Sequence, residues 1–160
     1  AAIVAAATFP NFEDHVLPHC FVCGPARAEG DGLRIFADWL KEPSGLDNPN
    51  AFPIVAAPWQ PTPDLADDSG RIAPEFLWAA LDCPGAFAID KEPILLGRMT
   101  AKIIDRPTTD AAIIAVAWSK GQDRRKHFAG SALFTESGAL LAFSEQTWIQ
   151  IDAHAPPKEL

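Results

Sequence analysis

The stretch Ala73-Pro74-Glu75-Phe76-Leu77-Trp78-Ala79-Ala80-Leu81-Asp82-Cys83-Pro84-Gly85-Ala86-Phe87-Ala88-Ile89 decides the architecture. From Phe76 to Ile89 it carries a single charged side chain, Asp82. Phe76, Ala80, Cys83 and Phe87 recur at helical spacing, and Leu77, Leu81 and Ala88 do the same on the neighbouring face. A helix that is apolar nearly all round is buried nearly all round. At about 14 residues it is too short to cross a bilayer. The pattern therefore predicts a central helix over about residues 74–89, wrapped by the rest of the chain. Pro74 suits the first turn, where its missing N–H costs nothing, and Glu75 favours the positive end of the helix dipole. Pro84-Gly85 predicts a kink or an end about one turn after Asp82. A carboxylate inside such a helix is costly unless it is paired, protonated or used.

Working outward, residues 96–104, 111–120, 126–134 and 140–152 are strand-length runs of small, β-branched and aromatic residues. Turn-forming segments at 106–110, 121–124 and 135–138 separate them. Such short connections predict an antiparallel meander. Upstream, 32–37 alternates as a strand, and 54–59 is a second one that Pro58 pushes towards an edge. Residues 41–53 and 60–71 are rich in proline and acidic or amide side chains and read as loops. Pro10 and Pro18 predict an extended N-terminal arm over 1–18, followed by a single domain over 19–153 and a tail over 154–160. Two strands, a buried helix and four strands form an α+β unit. One sheet covers such a helix only by curling around it, and the sheet edges left over tend to pair across a dimer axis.

The chain has 160 residues, enough for one domain with a proper core. Its formal charge of −8 argues against nucleic-acid binding, which needs a surplus of Lys and Arg. Three cysteines are too few for a disulfide scaffold. No apolar run reaches membrane length, and the apolar start lacks the basic region of a signal peptide. A reducing, cytoplasmic setting is the expectation.

Asp82 can activate water or attack a carbonyl directly, and burial would raise its pKa towards neutrality. The plainer alternative makes it a turn or cap residue for Asp82-Cys83-Pro84-Gly85. Glu75 lies seven residues earlier on the same helix face, as a second carboxylate or simply a first-turn acid. Cys20 and Cys23, with His15 and His19, invite a zinc reading, but four candidates crowd into nine residues. Two thiols packing a turn is the preferred account, and no metal is expected. Arg124-Arg125-Lys126-His127 is the only basic run. It could hold phosphates, with Arg98 or Arg106 helping, or be plain solvated surface. His127 could serve as a general acid and Ser131 as a polar substrate contact, although no Gly-x-Ser-x-Gly elbow surrounds Ser131. Trp59, Trp78, Trp118 and Trp148 read as core, with one or two lining a tunnel.

The element order and three motifs resemble the hotdog-fold thioesterase superfamily, in particular phenylacetyl-CoA-type acyl-CoA thioesterases. Cys20-Phe21-Val22-Cys23-Gly24-Pro25 followed by Gly32-Leu33-Arg34-Ile35 resembles an N-terminal signature found in part of that superfamily. Residues 79–88 look like its central helix, and 125–148 are similar to its last hairpin. The resemblance implies a homodimer, or a dimer of dimers, hydrolysing acyl-CoA at the subunit interface. It implies Asp82 as general base or nucleophile and carbonyl-polarising N–H groups near Glu75 and Phe76. For such a substrate the expected contacts are Phe76, Trp78, Arg98, Arg124, Arg125, Lys126, His127 and Ser131. No cofactor is implied beyond the CoA that forms part of the substrate. Family members often enter the helix through His-Gly-Gly, whereas this chain has Ala73-Pro74-Glu75, and Pro74 has no N–H. The rival readings are a hotdog protein that binds an acyl or CoA ligand without turnover and, further off, a hotdog hydratase or dehydratase.

Overall fold

The structure is a computed structural model that describes residues 2–7, 9, 15–40, 53–89 and 93–151. Its centre is helix α2 (Pro74–Phe87), with α1 (Ala2–Ala7) at the N-terminus. Six strands follow the chain: β1 (Asp38–Trp39), β2 (Ile54–Trp59), β3 (Ile94–Ile103), β4 (Ile113–Asp123), β5 (Lys126–Thr135) and β6 (Leu140–Gln150). They form one antiparallel sheet in the order β1-β2-β4-β5-β6-β3. The sheet curls around α2, which touches β2, β3, β4, β5 and β6.

Leu77, Ala80, Leu81, Pro84, Gly85 and Ala88 form the buried stripe of α2, at the spacing of three and four expected for one helical face. Side chains alternate across a strand, so every second residue meets this stripe. The sheet meets it with a row of mostly small residues in register: Val55, Ala117, Ser131, Ser144 and Ala101, one from each of five strands. Small side chains there let the helix axis approach the sheet closely. The core closes around them with Ile35, Ile72, Leu77, Leu81, Ile113 and Leu133, all essentially inaccessible to solvent.

Several expectations change. The last four strands are not a simple meander. β4, β5 and β6 are, but β3 pairs with β6 rather than β4. The connection from β3 to β4 instead crosses the helix entry, where Ile72 N–H donates to Pro107 O (2.9 Å) and Arg71 bridges Thr108. Pro84 does not end the helix, which runs on to Phe87. Residues 32–37 alternate in burial as expected but are not a sheet strand. Leu33 and Ile35 donate to the carbonyls of Phe21 and Val22 instead, and Arg34 takes a positive φ of 53°. The sheet strand there is only Asp38–Trp39. Because β1 opposes only Val55 and Ala56, no strand among the described residues pairs with Pro58 on that flank of β2. The N-terminal arm is not wholly extended, since Ala2–Ala7 is helical and lies against β1 and β2. The loop at 60–71 contains a 3-10 turn at Pro63–Leu65 and buries Leu65. Most of the 41–53 loop and the tail at 154–160 lie outside the described residues.

The helix entry is clamped by charge. Arg106 pairs with Asp67 (2.5 Å) and donates to Ile72 O (3.3 Å), while the Arg71 guanidinium donates to Arg106 O. The Arg106 guanidinium, then Ser69, holds the Asp67 carboxyl well below the usual carboxylate range. A carboxylate depressed on folding contributes stability above its unfolded pKa and loses it as the pH falls through the folded value. Arg106→Ala should therefore lower the melting temperature at pH 7, with the gap to wild type closing as the pH falls below about 4. Thermal melts over that range check this; a gap independent of pH would mean that the clamp is not ionic.

Candidate active site

Asp82 lies on the side of α2 turned away from the sheet stripe, near Trp78, which is 39 % exposed. It is half-buried, and its Oδ1 has no hydrogen-bond partner among the described residues. Burial first, then the charge on nearby Cys20, push its carboxyl up to about 6. At neutral pH such a group is ionised and a stronger base than an ordinary aspartate.

The backbone beneath Asp82 is held by the sheet. Pro84 has no N–H to give Ala80 O, and its ring crowds that carbonyl. One residue on, Leu81 O accepts hydrogen bonds from Ser131 Oγ (2.7 Å) and Gln146 Nε2 (2.5 Å). Gln146 Nε2 also reaches Asp82 O (3.3 Å), and its Oε1 accepts from Trp148 Nε1 (2.8 Å). Ser144 Oγ completes the cluster against Ser131 (2.8 Å). These side chains fix the turn of helix that carries the carboxylate.

Next to Asp82 stand three thiols. Cys20 and Cys23 come from the N-terminal turn and Cys83 from α2, with all three sulfurs within 4.8 Å of one another. Cys20 Sγ and Cys83 Sγ are 3.6 Å apart. Hydrogen bonds from Cys23 and Cys83 lower the Cys20 pKa, and the amides of Val22 and Cys23 add to this. Sharing with Cys20 pushes Cys23 and Cys83 up.

The other expected site residues are dispersed. Glu75 is exposed at the helix start. Phe76 packs on Phe21, with ring centroids 6.1 Å apart, and its N–H donates to Ala73 O (3.1 Å). That amide, expected to polarise a carbonyl, is thus already engaged. Ser131, expected to touch substrate, is 1 % exposed and anchors the helix instead. His127 is buried on the helix-facing side of β5, opposite Trp148, and its Nε2 has no partner among the described residues. Arg124 and Arg125 are exposed in the turn between β4 and β5, and Lys126 is exposed beside them. Arg98 lies on the outer face of the sheet, in a cavity of about 350 Å³ with Thr100, Lys120, Phe128 and Thr147. Arg106, a possible helper, is committed to Asp67. Within one chain, the cationic candidates and Asp82 are not brought together.

Gln146, Ser144 and Cys83 were missed as site residues. Gln146 and Ser144 occupy alternate positions between Ala142 and Trp148, a polar pair on a face that is otherwise apolar. Once the facing of β6 is known, that pair is the signal.

No family model matches the chain, and no curated protein matches it. Solved structures do. The chain is similar to the Escherichia coli PaaI protein from the phenylacetic acid degradation operon at 12 % identity and TM-score 0.56, over 71 % of this chain and 82 % of that one. A hypothetical thioesterase of Streptococcus pneumoniae matches at 10 % identity and TM-score 0.57, over 71 % and 88 %. A phenylacetic acid degradation protein PaaI of Thermus thermophilus matches at 21 % identity and TM-score 0.54, over 72 % and 93 %. At these identities the likeness establishes the fold, which is the hotdog fold.

The helix anchor makes an unusual demand on Gly85. A Cβ there would lie 1.6 Å from Gln146 Oε1. In an ordinary helix interior, Gly→Ala stabilises by about 1 kcal/mol. Here it displaces a buried amide, and each buried polar group left unpaired costs about 1–3 kcal/mol. Gly85→Ala should destabilise by about 3 kcal/mol in urea unfolding, but should be neutral or stabilising in a Gln146→Ala background. Equal effects in both backgrounds would show that the two residues are not coupled.

Proposed function

We propose that the chain is an acyl-CoA thioesterase in which Asp82 acts as general base, at the interface of a homodimer. The observation that carries this is the half-buried Asp82 carboxylate on the central helix of a hotdog fold, with Oδ1 lacking any partner among the described residues. An ionisable group held dry and unpaired in this way is available for chemistry rather than committed to structure. Thioesterase-superfamily proteins among the structural neighbours support the reading.

In this mechanism Asp82 accepts a proton from water, whose oxygen attacks the thioester carbonyl carbon. The tetrahedral intermediate collapses with cleavage of the C–S bond. The CoA sulfur leaves as a thiolate and takes up the proton held by Asp82. Nothing but water and the chain's own groups is required. Arg124, Arg125 and Lys126 project from the β4–β5 turn at one end of the strands, and Arg98 from the outer face of the sheet, where a second copy of the chain could bring them to the nucleotide phosphates of its partner's substrate.

One observation favours a second reading, ligand binding without turnover. Pro74 has no N–H, and the Phe76 N–H is taken by Ala73 O, so neither position offers a donor to a substrate carbonyl. Incubation with short, long and aryl CoA esters separates the two. The thioesterase reading predicts free-thiol release that grows linearly with enzyme concentration. Tight binding of a CoA ester with no thiol released would establish the second reading instead.

A further inference from the structure

Three cysteines in a chain that uses only three converge on one point. Cys20 and Cys23 stand on a tight turn, and Cys83 reaches them from α2, 63 residues beyond Cys20. Zinc binds thiolate sulfur at about 2.3 Å in a tetrahedron, which places neighbouring sulfurs about 3.8 Å apart. The observed Cys20–Cys83 separation is 3.6 Å, and the whole trio lies within 4.8 Å. The set needs almost no rearrangement to surround an ion.

The turn is shaped to bring the second cysteine round. Gly24 closes the turn by donating to Cys20 O (2.9 Å). A Cβ on Gly24 would fall 2.5 Å from both the backbone N and O of Cys20, so only glycine lets the second cysteine come round. Two buried thiols packing a turn would not explain the arrival of Cys83 beside them.

We propose that Cys20, Cys23 and Cys83 form a zinc site that pins the N-terminal turn to the central helix. Binding breaks the S–H bonds that remain and forms three Zn–S bonds, and the protons leave to solvent. Three thiolates and Zn²⁺ leave one net negative charge. The fourth position falls to water, which completes a four-coordinate ion. The site is independent of the thioesterase reading, because the metal's role here is to join two segments of the fold.

The test uses the reduced full-length chain with zinc and then cobalt, each as the simple divalent ion. One zinc per chain should survive desalting, with about three protons released per ion, fewer by any that Cys20 has already lost. Cobalt should give thiolate-to-metal charge-transfer absorption and the visible bands of a tetrahedral site. Cys83→Ser and Cys23→Ser should each weaken zinc binding by more than about 100-fold, since even loss of a supporting contact costs 10–100-fold. The wild-type cobalt spectrum reads the ligand set directly, so the test stands even if a variant fails to fold. Passage of the reduced wild-type chain through desalting without zinc would overturn the proposal. So would a folded Cys83→Ser variant that binds zinc as tightly as wild type.

Discussion

A helix with apolar side chains on nearly every face is stable in water only if something encloses it. That constraint organises this chain. The sheet meets the helix with small residues, Ala101, Ala117, Ser131 and Ser144, because larger ones would hold it away. The segment from Cys20 to Cys23 and the Phe9 ring cover other flanks, the latter edge-on to Phe87 with ring centroids 5.0 Å apart. Enclosure also removes water from the helix backbone, so every carbonyl that Pro84 disturbs needs a donor from the protein. Ser131 and Gln146 supply donors at the adjacent carbonyl, and Gly85 is the notch through which Gln146 approaches.

The same enclosure sets the chemistry of Asp82. Its backbone is tied down through Leu81 O and its own carbonyl, so the side chain departs from a fixed point. Its carboxylate is desolvated without gaining a cation, and this raises its pKa rather than lowering it. The contrast with Asp67 is instructive. That carboxylate sits a short way along the chain, is paired with Arg106 and is depressed. One acid serves as a clamp and the other is left reactive, and the difference is the presence of an arginine.

Much of the fold was legible in residues 73–89 and in the strand-length runs after them. All-round apolarity announced burial, and the two-one-four order of elements announced wrapping. The position of β3 was not legible, because short connections favour neighbours and only the docking of residues 104–108 on the helix entry overrides that rule. Pro84 was read as a kink or an end because local chemistry says so, and the helix runs past it to Phe87 with Ser131 and Gln146 bonded to the neighbouring Leu81 O. At the site, Asp82 stood out as a charge in an apolar run. From residue type alone His127 was read as a candidate general acid and Ser131 as a polar substrate contact, and burial assigns Ser131 to the scaffold. Cys83 was invisible as a partner of Cys20 because nothing in the sequence relates positions 63 apart until the helix is docked.

The account stands or falls on the Asp82 carboxylate. The most direct measurement compares turnover of a CoA ester by wild type and by Asp82→Asn, which keeps the shape of the side chain and removes its charge and basicity. A general base contributes about 100- to 10,000-fold to rate. The account therefore predicts that kcat falls by at least about 100-fold with ester affinity and folding unchanged. Full activity in a folded Asp82→Asn protein would contradict it.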